Sequence, residues 1–158
     1  MGDIVTMDDL TNQEIVAVLD DAERLVPVAR GDVYLPLLQG KVLANMFFEN
    51  STRTRMSFET AMKRLGGSVL NFTSIGTSVA KGETLYDTMQ MIDGYADVAA
   101  IRHPRQGAAQ YSADAVEIPI LNAGDGAGNH PTQTILDLFT IRQAHGCLLY
   151  TSDAADEE

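Results

Sequence analysis

A dense group of hydroxyl and guanidinium side chains occupies positions 51–55, which read Ser51-Thr52-Arg53-Thr54-Arg55. An apolar run over 42–48 precedes it, which is typical of a strand buried on both faces, and a helical pattern follows. A helix N-terminus binds anions because its unpaired backbone N–H groups point outward and its dipole favours negative charge. The spacing therefore predicts an anion site, and a capped helix with solvated arginines is the alternative.

The charge pattern also indicates an anionic ligand. A formal net charge of −11 argues against nucleic acid or an anionic membrane as partner. Seven of the eleven Lys and Arg residues nevertheless fall between positions 53 and 105. This clustering favours a small anion held at one site, with chance spacing of solvated charges as the alternative. Arg53 and Arg55 cannot share a helix face, so we expect one to reach the ligand and the other to support the loop.

Helical and extended patterns alternate along the chain, which predicts an α/β fold. We expect a mostly parallel four-stranded sheet flanked by helices, in a single domain over residues 1–146. The predicted strands are 42–48, 69–72, 97–101 and 118–122. The predicted helices are 10–26, 51–65, the segment around 85–92, and 131–143. The last helix is expected to bury Ile135, Leu138 and Phe139.

Residues 147–158 follow none of these patterns. The segment from Cys147 to Glu157 matches one translated reading frame of a common transposase-based sequencing adapter. We therefore predict that 147–158 is a non-native tail and leave it out of the fold. A disordered acidic terminus is the alternative. Cys147 is the single cysteine of the sequence, so no internal disulfide is expected.

Several other classes of protein are not favoured. No apolar run approaches the roughly 20 residues of a membrane-spanning helix, and the opening Met1-Gly2-Asp3-Ile4 lacks a secretory pattern. We therefore expect a cytoplasmic protein. No group of metal-ligating residues has a suitable spacing, so no metal is expected. No cofactor is expected either, because the glycines of 124–128 do not follow the dinucleotide-binding pattern.

Four segments, in this order, resemble the aspartate/ornithine transcarbamoylase family. They are the signature at 47–59, the mobile loop at 78–84, the carbonyl-contacting arginine segment at 101–104 and the histidine loop at 124–133. The resemblance covers residues 1–146. It implies the N-terminal, carbamoyl-phosphate-binding domain of a two-domain enzyme, truncated before the aspartate-binding domain.

Within this family the sequence is most similar to the aspartate enzymes. Glu49-Asn50, Lys81-Gly82-Glu83 and Gly124-Asp125-Gly126 carry that similarity. It implies transfer of a carbamoyl group from carbamoyl phosphate to L-aspartate in de novo pyrimidine biosynthesis, with negligible activity for this fragment alone. Two alternatives remain open: an ornithine carbamoyltransferase-like enzyme, and a phosphate-binding module with no chemistry of its own.

The resemblance also implies roles for single residues. The expected phosphate cradle consists of Ser51, Thr52, Arg53 and Thr54, with Arg55 as a further candidate. The groups expected to polarise the carbonyl are Arg102, His130 and Thr54, while Gln133 orients the carbamoyl amide. Ser78 and Lys81 are expected to act in trans, from the neighbouring subunit of a homotrimer. Association with regulatory chains is left open.

Overall fold

A sheet of four parallel strands forms the centre of the protein, in a computed structural model that describes residues 2–73 and 82–146. The strands are β1 (Val42–Phe47), β2 (Ser68–Thr73), β3 (Val98–His103) and β4 (Ile120–Asp125). Their order in the sheet is β2-β1-β3-β4. Ala44 of β1 pairs with Leu70 of β2 on one side and with Ala99 of β3 on the other. The predicted α/β fold with four strands is confirmed, and every strand pairing is parallel.

Helices connect the strands and flank the sheet. A short 3₁₀ helix, Met7–Asp9, precedes α1 (Asn12–Arg30), α2 (Thr52–Arg64), α3 (Leu85–Asp93), α4 (Ala108–Ala113) and α5 (Pro131–His145). The helix α2 packs on β1 and β2, α5 packs on β4, and α1 contacts both of these helices. Thr11 caps α1 in a reciprocal arrangement: its hydroxyl accepts from the Glu14 N–H, and the Glu14 carboxylate accepts from the Thr11 N–H.

The core lies on both faces of β1, as its apolar run predicts. Met46 is fully buried in a cluster with Met89 of α3 and Ile101 of β3. Leu43 belongs to a second cluster with Met62 of α2. Burial of each such side chain stabilises the fold by about 1.5–3 kcal/mol. The central strand is therefore anchored on both of its faces.

Three details of the fold differ from the sequence prediction. The third strand continues past residue 101 to His103, and the fourth runs over Ile120–Asp125 instead of 118–122. Both extensions occur because the backbone pairing continues, with an irregularity in register between Ile101 and His103. The helix α4 was not predicted, since its six residues are too few to show a helical period.

The expected burial on α5 was wrong in degree. Ile135, Leu138 and Phe139 are half-buried, and Pro131 is the fully buried residue of this helix. Leu136 is 55% exposed. One face of α5 therefore has less protein against it than its apolar composition predicts.

The topology places a crevice at the carboxyl ends of β1 and β3. From β1 the chain first forms β2 on one side and then β3 on the other, so the winding direction reverses between β1 and β3. Open α/β sheets bind ligands at such a reversal. Phe47, the last residue of β1, pairs there with Arg102.

Some predictions concern residues outside the described ranges. Ser78 and Lys81 belong to the segment 74–81, and the proposed non-native tail is 147–158. Those predictions remain predictions. Within the described ranges, no helix is long and apolar enough to cross a membrane. No group of three His, Cys, Asp or Glu residues there is arranged to hold a metal ion.

Candidate functional site

A cavity of about 830 Å³ opens at the crevice between the carboxyl ends of β1 and β3. The first turns of α2 and α5 form its sides, and Arg102 of β3 lies within it. Seven of the predicted site residues line it: Ser51, Thr52, Arg53, Thr54, Arg102, His130 and Gln133. Residues from three separate parts of the sequence thus meet at one opening.

The start of α2 forms one side of the cavity. Ser51 is the residue before the first turn, with an extended backbone, and its hydroxyl makes no capping hydrogen bond. Thr11 and Thr84, at the starts of α1 and α3, do cap their helices. The first turn of α2 contains no acidic residue, and Arg53 lies on it. The N–H groups of this turn are therefore available to an anion, which the helix dipole and Arg53 attract.

Arg55 has different surroundings from Arg53. It does not line the cavity. Its carbonyl oxygen accepts a hydrogen bond of 3.1 Å from the buried amide of Asn45. The pKa of Glu59 is lowered mainly by hydrogen bonds from Lys63 and Asn71, and more weakly by the charge of Arg55. Arg53 therefore lines the cavity, whereas Arg55 lies one helical turn before Glu59.

Arg102 is held on the opposite side of the cavity by three contacts. The Arg102 carbonyl accepts from the Phe48 N–H (2.9 Å), and Nη1 donates to the Ala123 carbonyl of β4 (3.2 Å). The Glu49 carboxylate lies 3.6 Å from Nε. That distance permits attraction between the charges but is too long for a hydrogen bond. The side chain is 22% exposed, so the charge is directed into the cavity with limited freedom.

Gly124 makes room for the Arg102 guanidinium. A Cβ atom at position 124 would lie 2.8 Å from Nη1 of Arg102, and the φ of Gly124 is +118°. Any other residue at this position would be strained, both by the contact with Arg102 and by the backbone conformation. Sequence reasoning did not find the supporting roles of Glu49 and Gly124, although both belong to segments that carry the family resemblance.

His130 is the residue before the first turn of α5. Its Nδ1 accepts from the Gln133 N–H (3.4 Å) and lies 3.3 Å from the Thr132 hydroxyl. A neutral imidazole that accepts at Nδ1 carries its proton on Nε2. Burial lowers the pKa of His130, and the charge of Arg102 lowers it further. At neutral pH the ring is therefore uncharged and offers an N–H donor from Nε2.

Gln133 lies one turn into α5 and lines the same cavity. Its Nε2 donates a hydrogen bond of 2.9 Å to the carboxylate of Asp137. This bond fixes the orientation of the amide and leaves Oε1 as an acceptor. The side of the cavity opposite α2 therefore combines two donors, from Arg102 and His130, with one acceptor, from Gln133.

These groups together suit a ligand with three features. An anionic end fits the first turn of α2, a carbonyl oxygen fits the donors of Arg102 and His130, and an N–H₂ group fits the acceptor of Gln133. A model of the family described as aspartate/ornithine carbamoyltransferase, carbamoyl-P binding domain, matches residues 2–143. The chain belongs to this family.

Relatives within the carbamoyltransferase family are about twice as long as the chain. The aspartate carbamoyltransferase catalytic subunit of Archaeoglobus fulgidus is 54% identical over 149 residues, which are 94% of this chain and 50% of that protein. The corresponding subunit of Methanothrix thermoacetophila is 55% identical over 141 residues, which are 89% of this chain and 46% of that protein. The chain therefore spans about half the length of these relatives.

Solved structures of carbamoyltransferases share the fold. The catalytic subunit of M. jannaschii aspartate transcarbamoylase superposes with a TM-score of 0.86 at 50% identity, over 92% of this chain and 48% of that chain. Aspartate transcarbamoylase from Trypanosoma cruzi in complex with carbamoyl phosphate gives a TM-score of 0.88 at 43% identity, over 92% of this chain and 45% of that chain.

Proposed function

We propose that the chain is the carbamoyl-phosphate-binding half of an aspartate carbamoyltransferase. The whole enzyme would transfer the carbamoyl group of carbamoyl phosphate to the amine of L-aspartate and release phosphate, as a cytoplasmic step of de novo pyrimidine biosynthesis. The observation that carries the proposal is one cavity in which the N-terminus of α2 faces Arg102, His130 and Gln133. A simple phosphate binder would need the N-terminus of α2 but not Arg102, His130 and Gln133 opposite it.

The phosphate would bind at the start of α2. The backbone N–H groups of the first turn, including that of Thr54, and the hydroxyls of Ser51 and Thr52 donate to its oxygens. Arg53 adds a charged, forked donor. Hydrogen bonds that involve a charged partner stabilise a complex by about 1.5–3 kcal/mol each. As the carbon–oxygen bond breaks, these groups also stabilise the additional negative charge on the departing phosphate.

The carbonyl oxygen would lie against Arg102, the Nε2–H of His130 and the hydroxyl of Thr54. Attack of the amine nitrogen on the carbonyl carbon forms the new carbon–nitrogen bond and moves negative charge onto this oxygen. The carbonyl reforms as the carbon–oxygen bond to phosphate breaks, and the departing phosphate takes up the proton that the amine loses. Donors that are already in place stabilise that charge without reorganisation. A neutral His130 suffices, because it donates a hydrogen bond and does not transfer a proton. Gln133 accepts from the carbamoyl N–H₂ and sets the plane of the group.

The rest of the active site would come from a second domain and from a neighbouring subunit. We propose that a second domain contacts L-aspartate, because relatives of twice the length are aspartate carbamoyltransferase catalytic subunits. We also propose a homotrimer in which Ser78 and Lys81 reach the phosphate of a neighbouring site. The isolated chain would then bind carbamoyl phosphate but show negligible transfer to aspartate.

The test of function uses the longer gene, with residues 1–146 continued by the native second domain. Turnover of carbamoyl phosphate is measured with L-aspartate and with L-ornithine as acceptors. We expect turnover with aspartate only. Turnover with ornithine alone would favour the ornithine enzyme, and turnover with neither would favour a phosphate-binding module.

The contribution in trans has its own test in the two-domain protein. Lys81→Ala and Arg53→Ala chains are each purified as inactive proteins, then mixed and allowed to exchange subunits. Because one site of a hybrid trimer would contain neither substitution, we expect partial recovery of activity. Mixing two preparations of the same variant is the control. No recovery in the hybrid would contradict a shared site.

A further inference from the structure

One buried carboxylate, that of Asp125, joins the two loops that follow β3 and β4. Its Oδ1 accepts from the Asn129 N–H (2.7 Å) and its Oδ2 accepts from the Gly107 N–H (2.8 Å). Asp125 is 4% exposed. The two donors belong to different loops, and each loop follows a strand that ends at the cavity.

The backbone around Asp125 is also closely packed. The Gly126 N–H donates to the His103 carbonyl (2.9 Å), and the Gly128 N–H donates to the Asp125 carbonyl (2.9 Å). A Cβ atom on Gly128 would lie 2.6 Å from Oδ1 of Asp125, and one on Gly126 would lie 2.6 Å from the Pro104 carbonyl. Positions 126 and 128 therefore have no room for a side chain. The two loops lie close together, and the Asp125 carboxylate bridges them at a fixed distance.

That spacing determines how two groups of the site meet. Asn129 directly precedes His130, and Gly107 lies on the loop that continues from Arg102. We propose that Asp125 is a positioning residue, which sets Nε2 of His130 and the guanidinium of Arg102 against the same carbonyl oxygen. The inference rests on the proposed function, because it assumes a ligand with a carbonyl group. Asp125 itself would not touch the ligand.

Both the charge of the Asp125 carboxylate and its two acceptor oxygens are needed to hold the two loops. A carboxylate that accepts two backbone N–H groups forms charge-assisted hydrogen bonds, which are stronger than neutral ones. An asparagine at 125 has one oxygen and one N–H₂ group, so one of the two backbone donors would face another donor. The loop would then shift until that donor found a partner, and His130 would shift with it.

Asp93 provides a control for the loss of a carboxylate charge. Its Oδ1 alone accepts from the Glu117 N–H (3.0 Å) and the Ile118 N–H (3.1 Å), so an asparagine there keeps the oxygen that holds both donors. Those donors lie just before β4, at the amino edge of the sheet, whereas Asp125 ends β4 at the carboxyl edge. Asp93→Asn therefore removes a negative charge without leaving a backbone donor unpaired.

The experiment compares two ligands on the 158-residue chain. Titration calorimetry gives the Kd of carbamoyl phosphate and of inorganic phosphate for wild type, Asp125→Asn and Asp93→Asn. For Asp125→Asn we expect the preference for carbamoyl phosphate to fall by about tenfold or more. Its affinity for inorganic phosphate should change by less than about twofold, because residues 51–54 lie outside the joined loops. Asp93→Asn should keep both constants.

The nitrogen resonances of the His130 ring give a readout that stability alone would not move. In wild type we expect the tautomer with the proton on Nε2, and in Asp125→Asn a mixture of both tautomers. Circular dichroism checks that each variant is folded. If Asp125→Asn does not fold, Gly128→Ala serves as the second variant, since its Cβ would displace Oδ1 of Asp125 while the carboxylate stays.

The outcomes separate the two proposals. A wild-type chain that binds both ligands equally would overturn the proposed function and, with it, the role of Asp125. A wild-type preference that Asp125→Asn or Gly128→Ala leaves intact, with the His130 tautomer unchanged, would overturn the role of Asp125 alone. An equal loss of preference in Asp93→Asn would also overturn it, because the effect would then reflect the loss of a negative charge and not the spacing of the two loops.

Discussion

The two sides of the cavity are built in different ways. The phosphate side consists of the consecutive residues 51–54 at the junction of one strand and one helix. The carbonyl side brings Arg102 of β3 together with His130 and Gln133 of α5, and it depends on contacts from Glu49 and Gly124. A site formed by one turn of helix needs little more than that helix. A site formed between elements is only as accurate as the packing that joins them.

The largest expected effect comes from the carbonyl side. Arg102→Met in the two-domain enzyme removes a charged donor from the carbonyl oxygen, and the loss of such a donor lowers the rate by about 100-fold or more. Steady-state kinetics with carbamoyl phosphate and L-aspartate measure it. Inorganic phosphate should still bind the isolated Arg102→Met chain within a few-fold of wild type. A wild-type rate would remove Arg102 from the catalytic residues.

The phosphate side can be tested with a matched pair of arginines. Arg53→Met should weaken carbamoyl phosphate and inorganic phosphate alike, by about tenfold or more, because both lose a charged hydrogen bond. Arg55→Met should change either affinity by less than about twofold, since Arg55 lies away from the cavity. Calorimetric titration of both variants with carbamoyl phosphate and with inorganic phosphate measures these affinities. Equal losses in the two variants would contradict the different surroundings of these arginines.

A glycine substitution separates loss of stability from loss of the site. Gly124→Ala should lower the free energy of unfolding by about 1–3 kcal/mol, because it strains the backbone, and should remove the preference for carbamoyl phosphate. Gly40→Ala is the control: its φ is also positive, at +79°, but a Cβ there meets nothing within 4 Å. We expect Gly40→Ala to lose stability and keep the preference. Urea unfolding and ligand titration measure the two effects, and retention of the preference in Gly124→Ala would contradict its role.

The smallest effect is a dependence of stability on pH. Burial lowers the pKa of His130 and of His103, and neighbouring Arg102 and Arg105 respectively add to this. An unfolded histidine has a pKa of about 6.5. The stability that these two neutral histidines contribute is therefore fully present above that pH. It falls as the pH is lowered towards the folded-state pKa, because the unfolded chain then binds more protons than the folded chain.

Urea midpoints measured at several pH values test this effect. We expect the fall in midpoint below about pH 6.5 to be smaller in His130→Gln than in wild type, and smaller again when His103→Gln is added. The phosphate side, residues 51–54, contains no histidine. An undiminished pH dependence in His130→Gln would mean that this ring is already as free to ionise in the fold as in the unfolded chain.

The same contrast explains what the sequence could predict. The strand over 42–48, the helix after Ser51 and the anion site between them are local patterns, and they were predicted from periodicity and residue type. The proximity of Arg102 to His130 came only from the family resemblance, because it arises from the pairing of β3 with β4. Gly124 and Asp125 were read as part of a loop, although they end β4. Their roles depend on neighbours that are distant in sequence, which no local pattern can show.

The most direct test of the carbonyl side observes the carbonyl group itself. Carbamoyl phosphate labelled with ¹³C is bound to the 158-residue chain, and the carbonyl carbon resonance is compared with that of the free ligand. Polarisation by Arg102 and His130 should move this resonance downfield, and Arg102→Met should return it most of the way to the free value. Saturating binding to the wild-type chain with no movement of the resonance would contradict a carbonyl-polarising site.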